Sequence, residues 1–237
     1  MNDQTDNNPD TAISKLLQRY ADLVVLRATV QAIPYIGGSL DTLLSSRAAQ
    51  IHLERLEKFA SDLEHRLTAV ESTTANLNDE AFADLMLSTF EAVARTRSDQ
   101  KRSRFAEIIT NQIAKPMLWE EPENAVRLLS DLEDIHIEII TAALGAPRAE
   151  EAFSGLRVIS LAAKPIDSEK QNSPVSLLAS FPHYGTAALR MACAELTAKG
   201  LLHDEGIGRW DMGSMMYFVP TDLAEWLFDW ISQSHRK

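Results

Sequence analysis

The sequence is poor in the residues that mark several protein classes. It has one cysteine, Cys193, in 237 residues, which excludes an intramolecular disulfide and a cysteine-rich zinc site. Nine glycines and nine prolines are too few for a collagen-like, linker-rich or turn-dense all-β chain. What remains is an ordinary globular balance of 45% hydrophobic and 24% charged residues, with a net charge of −11. This balance argues against wholesale disorder.

No long apolar run is free of interruption. The best membrane candidate, residues 23–44, contains Arg27 and Asp41 and is broken at Pro34 and Gly37. We therefore predict a helix–turn–helix hairpin that packs internally or docks on a membrane surface. The first ten residues are polar and contain three Asp and no Lys or Arg, unlike a secretory signal. Residues 1–12 are expected to be a disordered leader, and the expected location is the cytoplasm.

Helical periodicity dominates the N-terminal third. The first helix is predicted over 13–33, because the residue before Pro34 disfavours helical geometry. A second helix is predicted over about 40–70, and its second half carries an apolar seam at heptad spacing. The seam consists of Leu53, Leu56, Ala60, Leu63, Leu67 and Val70. Two interpretations remain open: packing against the first helix, or contact with a second copy of the chain.

After a polar hinge, the middle of the chain predicts three more helices. One begins after Asn78 or Asp79, and Ser98 caps the next, whose inward side bears Phe105 and Ile108. Lys115-Pro116 ends that helix. A long third helix is predicted from Pro122 to Ala143, followed by Gly145.

The C-terminal part has the element order of a winged helix-turn-helix. Residues 157–163 form a strand or short helix, Ser173-Pro174 starts a short helix, and a second helix spans 186–198. A hairpin and a last helix capped at Thr221-Asp222 follow. The predicted fold is mainly α, with a helical hairpin (13–75), a middle helical bundle (76–146) and a small winged-helix-like unit (147–237).

Several phrases together carry a resemblance to a known family. They are AIPYIGGSLDTLL, NLNDEAFADLMLSTFEAVARTRSDQKRSRFAEIITNQI, LLSDLEDIHIEIITAAL, ALRMACAELTAKGLL and YFVPTDLAEWLFDWI. In this layout the chain resembles uncharacterised bacterial helical proteins similar to the Abi-alpha abortive-infection family. The resemblance implies a cytoplasmic bacterial protein that serves anti-phage defence. It brings no catalytic residues.

Two features point to a lipid surface. The densest basic cluster holds five cations against one Asp, and these cations are Arg95, Arg97, Lys101, Arg102 and Arg104. Such a cluster attracts phosphate groups unless it pairs within the chain. The apolar turn around Tyr35 and Ile36 either packs internally or inserts into a bilayer, with Tyr35 at the headgroup level.

Charge argues against DNA as the partner of the winged unit. Residues 174–237 contain five Lys or Arg against seven Asp or Glu, which gives −2. The second helix of the unit offers only Arg190, with Glu195 nearby, whereas DNA readers need several cations. Leu189, Cys193 and Leu196 are expected to face the core. The unit is therefore predicted to pack or to contact protein.

The sequence contains no recognisable catalytic motif. His136 and Glu133 share one helix side, but no further ligand stands at metal spacing, so neither a metal nor another cofactor is assigned. Trp226 and Trp230 are expected to bury against Tyr217 and Phe218, and a partner would use the same aromatic face if it were exposed.

The predicted function is therefore non-enzymatic. The leading hypothesis is an interaction protein, a sensor or adaptor in anti-phage defence, that contacts a protein partner or associates with itself. Its contact residues would be those of the seam and the tryptophans, namely Leu53, Leu56, Leu63, Leu67, Trp226 and Trp230. A peripheral membrane protein that binds anionic lipid is the first alternative, and a winged-helix transcription regulator is the second.

Overall fold

The computed structural model describes residues 47–68, 80–115, 117–118, 120–149, 153–162, 173–207 and 213–232. The leader, the 13–33 helix and the apolar turn with Tyr35 and Ile36 lie outside the described residues. The chain divides into unit 1, Met1–Ser130, and unit 2, Asp131–Lys237. This division lies well before residue 146, the end of the middle bundle expected from the sequence.

The described part of unit 1 consists of four helices. They are α1 Arg47–Thr68, α2 Glu80–Arg95, α3 Asp99–Ala114 and α4 Glu120–Ser130. α3 is the central helix, because it contacts α1, α2 and α4. Its buried side chains therefore lie on more than one face. Phe105 and Ile108 are fully buried, as predicted, and so is Ile109.

The apolar seam of α1 packs inside unit 1. α1 contacts α2 and α3, and Leu56, Phe59 and Leu63 are buried. The ring of Phe59 stands edge-on to that of Phe90, with centroids 5.7 Å apart. Helices in a bundle meet through such i, i+3 and i+4 positions, so the heptad spacing is explained by intramolecular packing.

The predicted helix from Pro122 to Ala143 is wrong, because the structure has two helices there. α4 ends at Ser130, and α5 begins at Asp134 in unit 2. Two side chains stabilise the backbone where α4 ends and α5 begins. Lys101 Nζ donates to Ser130 O at 2.8 Å, and the imidazole of His136 accepts from the backbone N–H of Glu133. A helix end and a helix start are thus both supplied with partners.

Unit 2 combines four helices with four short strands in the described residues. In chain order they are α5 Asp134–Gly145, β1 Ile159–Ser160, β2 Val175–Ser176, α6 Leu177–Ser180, α7 Thr186–Ala198, β3 Leu202–Asp204, β4 Tyr217–Pro220 and α8 Asp222–Ile231. The strand order in the sheet is β2-β1-β4-β3. β1 and β2 are parallel, and the two other pairs are antiparallel.

Local sequence signals locate most elements of unit 2. α7 has the predicted bounds, the hairpin is present, and the Thr221 hydroxyl accepts from Ala224 N at the start of α8. The short helix expected from Ser173-Pro174 begins later, at Leu177, because Val175 and Ser176 pair with β1. A parallel partner strand is not visible in a local pattern.

A buried carboxylate stabilises the base of the β3–β4 connection. Asp204 is buried and accepts from Gly206 N at 2.9 Å and from Met215 N at 2.7 Å. A Cβ at position 206 would collide with the backbone of Gly213, so only glycine fits there. Asp204, one of the seven acidic residues counted in 174–237, is therefore a structural residue.

The buried ion pair of unit 1 provides a test of this architecture. Arg66 of α1 pairs with Glu107 of α3, both side chains are less than one-tenth exposed, and Arg66 Nη2 donates to Ser103 Oγ at 2.6 Å. Arg66 Nε also lies 2.9 Å from Asp62 Oδ1, so Glu107→Ala leaves the buried guanidinium with the more exposed Asp62 as its remaining carboxylate partner. We therefore expect the free energy of unfolding to fall by about 2 kcal/mol in urea titrations.

The matched control is Asp99→Asn, which removes a carboxylate whose side chain is 82% exposed from its pair with Arg102. It should cost less than about 1 kcal/mol. The double variant Arg66→Met, Glu107→Leu should recover most of the loss. Equal losses for Glu107→Ala and Asp99→Asn would contradict a buried pair.

Candidate functional site

The exposed face of α7 is apolar. Leu189, Cys193 and Leu196 point into unit 2 and are fully buried, as the sequence predicted. The opposite side carries exposed alanines and one large exposed side chain, Met191, of which 64% is accessible. The exposed apolar residues are Ala187, Ala188, Met191, Ala194 and Ala198.

Charged groups on α7 are few, and one is already paired. Arg190 is exposed, and it is the only Lys or Arg within the helix. Glu195 Oε2 lies 2.8 Å from His136 Nε2 of α5. Lys199, at the C-cap, lies 3.2 Å from Asp131. The helix therefore presents methyl and thioether groups with little positive charge.

His136 has a structural role at the start of α5. It is buried, its Nδ1 accepts from Glu133 N at 2.9 Å, and its Nε2 faces the Glu195 carboxylate. Because Nδ1 is an acceptor, the ring proton must be on Nε2, where it is donated to Glu195. Both ring nitrogens are thus engaged, and neither is directed at a substrate position.

Glu133 and His136 both belong to the N-terminal cap of α5. Glu133 is the N-cap residue of α5, with extended backbone geometry. Within the described ranges, no group of three or more His, Cys, Asp or Glu side chains is arranged to hold a metal ion.

The basic cluster differs from the lipid-contact prediction. Lys101 and Arg102 are buried at the start of the central helix α3. Arg102 Nη1 donates to Thr96 O at 2.8 Å and to Arg97 O at 3.0 Å, and Lys101 donates to Ser130 O. The lipid-contact prediction is wrong for these two residues, because their charged groups bind backbone carbonyls inside the unit.

The other cations of the cluster lie nearer the surface. Arg95 and Arg97 are exposed, and Arg104 is half-buried. Tyr35 and Ile36, the apolar half of the expected lipid contact, lie outside the described residues. In the part of the chain that the structure describes, no helix combines the length and apolarity needed to cross a membrane.

Several expected partner contacts are buried. Leu56 and Leu63 belong to the core of unit 1, Leu67 is half-buried, and the side chain of Leu53 lies outside the described part of the structure. The prediction of an oligomer contact is wrong for Leu56 and Leu63, because α2 and α3 already cover that face of α1. Trp230 is buried as well and is not available to a partner.

The other tryptophan of α8 keeps some exposure. Trp226 is half-buried, and its ring lies 6.4 Å from that of Trp230 at an interplanar angle of 66°. α8 packs against β4 and α5. The aromatic side of this helix therefore serves mainly the core of unit 2.

Sequence reasoning missed Met191. The predicted core residues of α7 lie on one side of the helix, and Met191 lies on the other. The signal was present, because positions 187, 191, 194 and 198 are separated by 4, 3 and 4 residues. This is a second apolar stripe on the side opposite the core.

Comparison of the chain with protein-family models, with curated proteins and with solved structures finds no match. The resemblance to the Abi-alpha family stays a prediction.

The tautomer of His136 is directly measurable. Long-range ¹H–¹⁵N spectra of the imidazole should show a neutral ring with its proton on Nε2, because Nδ1 accepts the Glu133 N–H. Glu195→Gln should preserve this tautomer, since the amide oxygen still accepts from Nε2. A proton on Nδ1 would contradict the capping role.

The buried thiol of Cys193 should make the stability of the protein depend on pH. Burial raises the pKa of its thiol from 9.0 to about 12. Between these two pKa values the unfolded chain loses the thiol proton and the folded chain retains it. The contribution of the buried thiol to the free energy of unfolding is therefore fully present below about pH 9 and falls as the pH rises towards about 12. From about pH 8 to about pH 10.5, wild type should lose about 2 kcal/mol more than Cys193→Ala in urea titrations.

Iodoacetamide gives an independent check at about pH 8. The folded protein should stay unmodified, and the urea-unfolded protein should react. Rapid alkylation of the folded chain would contradict a buried thiol.

Proposed function

We propose that this protein is a non-enzymatic interaction protein whose unit 2 is a winged-helix variant that contacts a protein partner through α7. The observation that carries the proposal is the exposed apolar face of α7, with Met191 at its centre. In DNA-binding winged helices this helix enters the major groove. Here its composition fits a protein surface.

Element order and strand order support the winged-helix assignment. α5, β1, α6, α7 and the β3–β4 hairpin follow one another as helix, strand, helix, helix and hairpin. β1 pairs with β4, so the first strand lies beside the second strand of the hairpin. Two features differ from the simplest winged helix-turn-helix fold. β2 adds a parallel edge strand, and α6 has only four residues.

Charge and exposure favour protein over DNA. Duplex recognition needs several Lys or Arg on phosphates and polar groups on base edges. α7 offers Arg190 alone, and Glu195 adds negative charge on the same helix. Exposed methionine is enriched at protein interfaces, because its flexible thioether adapts to many surfaces. A protein partner therefore matches the chemistry of α7.

The part of the proposal that concerns anti-phage defence rests on the resemblance to the Abi-alpha family. It supports a cytoplasmic sensor or adaptor in anti-phage defence, in which unit 2 contacts another protein of the defence response. No described geometry gives specific support to a membrane function or to a transcription regulator.

Met191→Asp tests the use of α7. A charge in the middle of an apolar contact face should weaken binding of the partner. After cross-linking in the producing cell, the amount of partner that co-purifies should fall by a factor of at least about ten. The variant should fold as wild type, because the side chain is exposed. Circular dichroism melting curves verify this condition.

Asn124→Asp, which adds the same charge at an exposed position of α4, is the matched control and should retain the partner. The DNA alternative is examined with a fluorescent random-sequence duplex at low salt. Salt-sensitive binding of that duplex, or equal recovery of the partner by wild type and Met191→Asp, would contradict the proposal.

A further inference from the structure

Three aromatic rings cluster where α6 meets α7. Phe181, His183 and Tyr184 lie in the turn between these helices, and His183 and Tyr184 have centroids 4.2 Å apart. Phe181 stands nearly perpendicular to His183, at 6.3 Å and 86°, and lies 6.4 Å from Tyr184. The rings therefore form a corner instead of a parallel stack.

A carboxylate of α5 lies against this corner. Tyr184 Oη donates to Glu138 Oε1 at 3.4 Å, and His183 Nε2 lies 3.8 Å from Glu138 Oε2. Both contacts are long, so Glu138 is only weakly paired by them. The side chain of Glu138 is 33% exposed and that of His183 is 61% exposed, whereas Phe181 and Tyr184 are half-buried, so the corner is partly open to solvent.

Two carboxylates of α5, Glu138 and Asp134, act on the aromatic corner. Asp134 lies one helical turn before Glu138 on α5 and acts on the same tyrosine. Burial, together with the charges of Glu138 and Asp134, raises the pKa of Tyr184. A ring face beside a carboxylate is the environment that attracts a cation, through the ring quadrupole and the opposite charge.

We propose that the corner formed by Phe181, His183, Tyr184 and Glu138 binds a guanidinium group. A planar cation stacks on a ring and at the same time donates two N–H groups to a carboxylate, a combination that an ammonium ion does not provide. This site lies outside the apolar face of α7 and does not depend on the proposed function. It would exist even if α7 bound no protein.

The test is a titration of the ¹⁵N-labelled full chain with Nα-acetylarginine methylamide, followed by the amide signals of Tyr184 and Gly185. We expect saturable shifts with a dissociation constant on the order of 1 mM. The citrulline analogue has the same shape without the charge, and it should bind at least about tenfold more weakly. Equal binding of the two compounds, or no saturable shift with the arginine compound, would overturn the proposal.

Two variants identify the groups that act. Glu138→Gln keeps the size of the side chain and removes its charge, and it should weaken binding about tenfold. Tyr184→Phe keeps the ring and should change binding by less than about twofold. An unchanged affinity in Glu138→Gln, with native melting behaviour, would also overturn the proposal.

Free L-arginine distinguishes the source of the group. Its carboxylate should be repelled by Glu138 and Asp134, so weaker binding than that of the blocked compound supports an arginine side chain of another protein. Equal or tighter binding of the free amino acid supports a small-molecule ligand at the same site.

Discussion

The packing of Leu189, Cys193 and Leu196 into unit 2 determines which side of α7 meets solvent. A helix turns 100° per residue, so burying one stripe fixes the opposite stripe outward. The outward stripe holds Met191 and four alanines, whereas the charged groups lie at its borders. The chemistry that α7 offers to a partner is therefore a direct consequence of how it is anchored.

A cluster of Lys and Arg in the sequence need not form an exposed basic surface in the folded protein. Arg102 and Lys101 lie in the densest basic cluster, yet their charges supply hydrogen bonds to carbonyls near helix ends. Arg55 does the same at Ala94 O, 2.8 Å away. Carbonyls near helix ends need such donors. Two of the five cations that would attract phosphate in an exposed segment are thus engaged inside unit 1.

Local signals in the sequence were sufficient for the mainly helical fold, for the caps at Ser98 and Thr221 and for the bounds of α7. They failed where the decisive contact is distant along the chain. Lys101 binds the carbonyl of Ser130 at the end of α4, 29 residues away, and Tyr184 meets Glu138, 46 residues away. Periodicity and capping rules describe neighbours within a few positions, so neither the break before α5 nor the aromatic corner was predicted.

The most direct test of the account is a photo-crosslinking amino acid placed at position 191 in the producing cell, with position 124 as the matched control. If α7 contacts a protein partner, position 191 should give a specific protein adduct and position 124 should give none. An adduct with nucleic acid at position 191, or the same protein adducts at both positions, would contradict the claim that α7 is a protein-contact helix.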